Sequence, residues 1–421
     1  AREHYGSLSR KTLINPAYTL AKKGFTVQEA FHKNIKKVQA DLRLFPSSST
    51  IFLPKGKPPK IGSTFKQQDL AKTLKRLIKV GKHDFYEGKT AQKIVSYMKQ
   101  NQGLISLEDL ANYTVVERDP IKGSYRGYSI YSMPPPSSGG IHLIQILNML
   151  EYAKPQDLSQ ADYLHLLAEI TKRAYADRSL YLGDPDFVDV PTAELISKAY
   201  AKKRFNQINI KKATPSKDIY PGLKTSINER FETTHFSVID KDGNMVANTY
   251  TLNAAFGNKH VVKDAGFFLN NELDDFSAKP GTPNLYGLVG SKANKVESKK
   301  RPLSSMSPTL VLKEGKPFLA TGARGGSRII TTVAQIISNT IDFNQSLDKA
   351  SITPRIHHQW KPDILFYEPG LSKQLLNQLK NKGHTLQKRS FLATTNSVMK
   401  TENELQGFAS NRIQNNLATG Y

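Results

Sequence analysis

The chain has no cysteine among its 421 residues, which removes disulfide frameworks, thiolate metal sites and cysteine nucleophiles together. That absence suits an oxidising compartment without proving one. Long apolar runs are missing too: no stretch approaches the roughly 18 residues that a membrane span needs. Acidic residues are scarce, 36 against 60 Lys and Arg, leaving a formal net charge of +24 that draws the protein toward anionic surfaces. The basic residues are scattered in short groups (Lys22-Lys23, Lys36-Lys37, Lys299-Lys300-Arg301) without interleaved aromatics, which argues against a nucleic-acid-binding role. Initiator Met and signal-peptide architecture are absent, and Ala1 falls inside a helical pattern, so an upstream segment is expected. Repeats and low-complexity tracts are not seen.

What is present reads as a globular chain that changes character near its middle. Asn15-Pro16 predicts a helix start that Gly24 closes, Ser106 caps another, and apolar spacing predicts helices from Gly139 to Glu151 and from Tyr163 to Tyr181. Ser124 to Met133 alternates as one strand. Residues 204–232 are polar, Lys-rich and broken by Pro215 and Pro221, as a mobile connection would be. Beyond it, strands are expected at Thr233 to Ile239, Met245 to Asn253, Thr309 to Leu312, Phe318 to Thr321 and Leu365 to Tyr367. Helices are expected at Ile329 to Ile341 and Lys373 to Lys380.

The pair around Lys241-Asp242-Gly243-Asn244 forms a hairpin in which facing residue numbers sum to about 484 or 485. Thr233 then lies beside Thr251. Thr233, His235 and Ser237 share one face, as do Thr249, Thr251 and Asn253. Pattern alone favours a solvated face of threonines chosen for β propensity.

The runs Thr233-Thr234-His235-Phe236-Ser237-Val238, Gly243-Asn244, Val246-Ala247, Thr249-Tyr250-Thr251-Leu252-Asn253 and Phe256-Gly257 resemble the start of the small subunit of γ-glutamyltranspeptidases. Asn270-Asn271-Glu272-Leu273-Asp274-Asp275-Phe276, Arg301-Pro302-Leu303-Ser304-Ser305-Met306-Ser307-Pro308 and Gly325-Gly326-Ser327-Arg328 resemble the family's next blocks in order. Met133-Pro134-Pro135-Pro136-Ser137-Ser138-Gly139-Gly140 matches in the large-subunit half. The resemblance implies an α+β fold, the four-layer αββα sandwich of N-terminal-nucleophile hydrolases. It also implies self-cleavage between Glu232 and Thr233 into a large part, 1–232, and a small catalytic part, 233–421, that stay together as a heterodimer. Thr233 becomes the nucleophile, with Thr251 orienting its hydroxyl and Gly325 and Gly326 forming the oxyanion turn. Asn253, Glu272 and Asp275 hold the substrate's α-amine, Ser304 and Ser305 its carboxylate, and Tyr286 closes a lid.

The chemistry suits these residues: a threonine hydroxyl needs a base, and a chain-terminal threonine supplies its own α-amine of pKa about 7.7 to 8. The implied reaction is γ-glutamyl transfer from glutathione or related compounds to water, amino acids or peptides, in a periplasmic or secreted setting, with no cofactor and no metal. The family's carboxylate-clamping arginine lies upstream of Ala1. Two other readings stay open: an inactive member acting as a basic surface-binding protein, and an acylase specialised for another amide. His357-His358 is not expected to grip an ion, because neighbouring extended residues face opposite ways.

Overall fold

The computed structural model describes residues 2–222, 233–277, 279, 290–402, 404–413 and 416–420. They form two compact units, Ala1–Glu117 with Ala254–Asn271, and Arg118–Asn253 with Glu272–Tyr421. Each unit therefore takes residues from both sides of position 232.

The first unit is helical. Its helix Arg10–Lys23 packs on Gln68–Val80. Arg10–Lys23 begins six residues before Pro16, because the Ser9 hydroxyl accepts from the Thr12 N–H and caps the first turn. Pro16 is thus carried inside the helix, and Gly24, at φ 93°, closes it as expected. A second motif reads as predicted: Ser106 and Asp109 form a capping box for Leu107–Ala111. Phe25, Phe31, Phe52, Phe65, Phe256 and Phe268 pack ring on ring in the core. Hydroxyls of Ser47, Ser48 and Thr73 donate to the carbonyls of Val261, Lys259 and Ala265 at 2.6 to 2.8 Å, tying the late segment to the early helices.

The second unit is α+β. Its main sheet runs in the order Leu405–Ala409, Thr394–Lys400, Lys316–Thr321, Thr309–Lys313, Tyr128–Ser132, Ile121–Tyr125, all antiparallel, with Ala323–Arg324 also pairing Thr394–Lys400. Tyr128–Ser132 lies directly against Thr309–Lys313, so the sheet is spliced from both halves of the chain. The single strand expected at Ser124 to Met133 is in fact a hairpin. Arg126 (φ 51°) and Gly127 (φ 86°) make the two-residue left-handed turn that such hairpins use.

Gly123, Ile130, Val311 and Leu319 follow one another across the register and line one face. A Cβ on Gly123 would come within 2.6 Å of Ile144, so the helix Gly139–Leu150 covers that face closely. Every residue of Gly139–Leu150 is buried, and it packs on Gln160–Tyr181 and Arg328–Ile341. Truncating a side chain such as Leu147 to Ala there should cost about 2–5 kcal/mol. Gly322, three residues past Leu319, faces the other way, and a Cβ on it would meet the His235 ring at 2.3 Å. The hairpin of Thr234–Ile239 and Met245–Tyr250 occupies that opposite face.

Residues 204–222 are not the loose connection that their polarity predicts. Trp360 Nε1 donates to the carbonyls of Ser216 and Ile219, and Gly222 N–H donates to Asp177, fastening the stretch to the core.

Candidate active site

The hairpin is set by its turn. Asp240 accepts from the N–H groups of Asp242 and Asn244 and from the Asn244 side chain, while Gly243 takes φ 87°. These hydrogen bonds hold the Asp240 carboxyl below its usual pKa. The register pairs Thr234 with Tyr250 and His235 with Thr249, a constant sum of 484, so continuing it one step puts Thr233 opposite Thr251. Thr233 is buried, at 9% exposure, and Thr251 partly so.

The second strand stops at Tyr250, short of the expected Asn253. The Thr251 hydroxyl accepts from the Asn253 N–H at 2.8 Å, a local turn that ends the ladder. Asn253, buried, then adopts φ 70°, a left-handed conformation that Asn tolerates better than most residues. Asn253 therefore does not share the strand face of Thr249; it is redirected beyond it. His235 lies between Thr249 Oγ1 at 2.8 Å and Ser237 Oγ at 2.9 Å, with its ring on Gly322. Burial pulls its pKa down to about 4, so near neutrality it is an uncharged packing group.

Gly325 (φ 147°) and Gly326 (φ 59°) form the approach to the helix Arg328–Ile341. A Cβ on Gly325 would sit 2.8 Å from Ala393, so only glycine fits this turn without strain. Backbone amides at such an entrance favour developing negative charge.

Glu272 and Asp275 bracket one turn of 3-10 helix, Glu272–Asp275. Burial pushes the Glu272 carboxyl up to about 7, which a bound ammonium would reverse. Asn294 fixes this turn relative to the serines: its side chain donates to the Asp275 carbonyl at 2.7 Å and accepts from Leu303 N–H at 3.0 Å.

Ser304 and Ser305 belong to a strap locked against residues 133–140. Ser304 N–H donates to Pro136, while the Ser138 N–H and hydroxyl both donate to the Ser304 carbonyl, at 2.8 and 2.9 Å. The Ser137 hydroxyl donates to Met306, and a Cβ on Gly139 would lie 2.1 Å from the Met306 carbonyl. Two motifs read separately in the sequence thus form one structure. Behind it, Arg178 donates from Nε to Ser138 Oγ (2.8 Å) and from Nη2 to Ser305 Oγ (3.0 Å). Sequence reasoning singled out neither Asn294 nor Arg178. No local signal marks Arg178: its helix, Gln160–Tyr181, carries charges along its whole length, and most of them are buried only by tertiary packing.

Tyr286 and Glu232 lie outside the described residues.

Among the described residues, His165, Glu169 and His384 bring three metal-type ligand atoms within 4.8 Å of one another. Glu169 and His165 are already engaged, while the buried His384 Nδ1 has no hydrogen-bond partner. Glu169 carries Lys172 at 2.9 Å and Arg173 at 2.8 Å, so an added cation would meet two positive charges. His165 Nε2 donates to the Asn209 carbonyl, which makes its Nδ1 the acceptor from His384 at 2.8 Å. His357 bonds Thr331 and Gln359, whereas His358 bonds Asp363 and the Trp360 N–H, so the two rings serve separate partners.

A sequence model of the family described as Gamma-glutamyltranspeptidase matches residues 1–420. The chain is 49% identical over 425 residues to a glutathione hydrolase proenzyme of Escherichia coli, covering 100% of this chain and 73% of that protein. Against a glutathione hydrolase proenzyme of Pseudomonas aeruginosa it is 45% identical over 394 residues, covering 92% and 69%. In fold it resembles the crystal structure of a cephalosporin acylase from Bacillus halodurans, with a TM-score of 0.85 at 24% identity over 98% of this chain and 74% of that one. That likeness is one of fold and spans the α+β unit and the helical unit alike. From the ordered motifs, the geometry that joins them and these likenesses, the chain belongs to the γ-glutamyltranspeptidase family of enzymes.

Proposed function

We propose that the complete protein cleaves itself between Glu232 and Thr233 and then, with Thr233 as nucleophile, moves the γ-glutamyl group of glutathione or a similar donor to water or an amino-acid or peptide amine. The observation that supports this reading is the hairpin register, whose continuation by one step sets Thr251 opposite Thr233, the residue just before the strand Thr234–Ile239.

In the precursor, Thr233 Oγ attacks the Glu232 carbonyl, the peptide shifts to an ester, and water releases a carboxylate and a free α-amine. That amine, of pKa about 7.7 to 8, then takes the hydroxyl proton as Oγ attacks the donor's γ-carbonyl. Amides of Gly325 and Gly326 stabilise the oxyanion, the leaving amine is protonated, and a γ-glutamyl ester remains on Thr233. An acceptor amine or water resolves it. Asn253, Glu272 and Asp275 take the donor's ammonium, and Ser304 and Ser305 its carboxylate. Parts 1–232 and 233–421 stay associated as a heterodimer, a reading supported by a central sheet whose adjacent strands come from both. The reading places the enzyme in the periplasm or outside the cell, which a cysteine-free chain suits; among the described residues no helix is long and apolar enough to cross a membrane.

The test is denaturing electrophoresis with N-terminal sequencing of the smaller piece, alongside turnover of a chromogenic γ-glutamyl anilide. Two chains, one starting at Thr233, are expected. A single uncut chain that turns the substrate over would overturn the proposal.

A further inference from the structure

We propose that Arg178 is the positioning residue of the donor's α-carboxylate subsite, acting through Ser305 and Ser138; this rests on the reading of Ser304 and Ser305 given above. Arg178 lies in the last turn of Gln160–Tyr181, where a helix C-terminus favours a cation. Its side chain is 2% exposed. Nη2 donates to Ser305 Oγ at 3.0 Å and Nε to Ser138 Oγ at 2.8 Å.

A guanidinium has no acceptor, so each serine oxygen facing it accepts, and the single hydroxyl proton of each serine must point elsewhere. For Ser138 that proton goes to the Ser304 carbonyl at 2.9 Å. Ser305, 8% exposed, has its proton turned away from Arg178. A charge-assisted bond to the back of a hydroxyl polarises its O–H, making it a stronger donor to an anion in front. Through Ser138 the same guanidinium braces the backbone of Ser304. The subsite's serines are therefore backed by a buried positive charge. Lysine could not replace it, because one ammonium lacks the fixed fork that spans both hydroxyls.

A purely structural tie between Gln160–Tyr181 and the strap would affect all donors alike. The experiment compares γ-glutamyl p-nitroanilide with its analogue lacking only the α-carboxylate, 4-aminobutyryl p-nitroanilide, on the processed enzyme. Wild type should prefer the carboxylate-bearing donor. Arg178→Lys should lose roughly ten- to a hundredfold in kcat/KM on that donor, mostly through KM, and little on the analogue, so the preference collapses. Ser305→Ala should collapse it too, and the double variant should lose less than the two single losses combined. Ser138→Ala, which keeps the charge but frees one arm, should give a smaller collapse and serves if Arg178→Lys does not fold. Parallel loss on both donors, additive losses in the double variant, or an intact preference in Ser138→Ala would overturn the inference. If Ser305→Ala abolishes the preference while Arg178→Lys keeps it, only the inference falls. If wild type has no preference and Ser305→Ala changes neither donor, the subsite reading falls with it.

Discussion

The hairpin that leads to Thr233 and the serine strap are held in opposite ways. In the hairpin, Asp240, Gly243 and Asn244 set a register that reaches Thr233 through neighbours close in sequence. In the strap, Ser304 and Ser305 are placed by Pro136, Ser138 and Arg178, the last of them 127 residues away from Ser305. On the proposed reading, the difference teaches that the bond-making group is positioned locally, whereas the recognition groups depend on the packing of the whole unit. Damage to the first should stop chemistry, and damage to the second should weaken substrate choice.

The sharpest break in that comparison is Thr233→Ala. It should leave one uncut chain with no measurable turnover, because cleavage and catalysis share the hydroxyl; two bands on a denaturing gel would refute this. Next comes Asp275→Ala, on the recognition side, which should still cleave yet lose roughly ten- to a hundredfold in kcat/KM for the γ-glutamyl donor. Unchanged kinetics would remove Asp275 from the site. Gly322→Ala should be milder in activity but measurable in stability. Its Cβ would fall 2.3 Å from the His235 ring, and such overpacking costs about 1–3 kcal/mol, visible as a lowered Tm with cleavage slowed. A Tm equal to wild type would mean that the hairpin shifts freely on the sheet.

The smallest effect is one of pH. Burial raises the Glu272 carboxyl from 4.5 to about 7, so the folded protein binds more protons than the unfolded chain between those values. Its contribution to stability therefore falls as pH rises through that window and is constant above it. Donor use needs the charged form and should rise toward pH 7. Glu272→Gln should remove this rise from the kcat/KM profile, leaving the limb of the Thr233 α-amine at about 7.7 to 8. A profile of unchanged shape would assign that rise to another group.

Sequence resolved the hairpin well because its information is local: a turn residue fixes the register, and the register fixes every facing pair. The same logic failed at Arg126-Gly127, a turn less marked than Asn-Gly, so two strands read as one. At Thr251 a hydroxyl captured the Asn253 amide and ended the strand early, a competition that period-two alternation does not register. Residues 204–222 look loose by composition, since nothing nearby announces that Trp360 will hold them. Arg178 and Asn294 were illegible for the same reason. Their partners are chosen by tertiary packing, and a charged residue in a helix is ordinarily solvated.

The most direct test of the account is the intact mass of each chain after brief mixing with a slowly released γ-glutamyl donor. The account predicts two chains, with a γ-glutamyl ester on the one beginning at Thr233, lost on adding an amino-acid acceptor and absent from Thr233→Ala. An adduct on any other residue, or turnover by a single uncut chain, would contradict it.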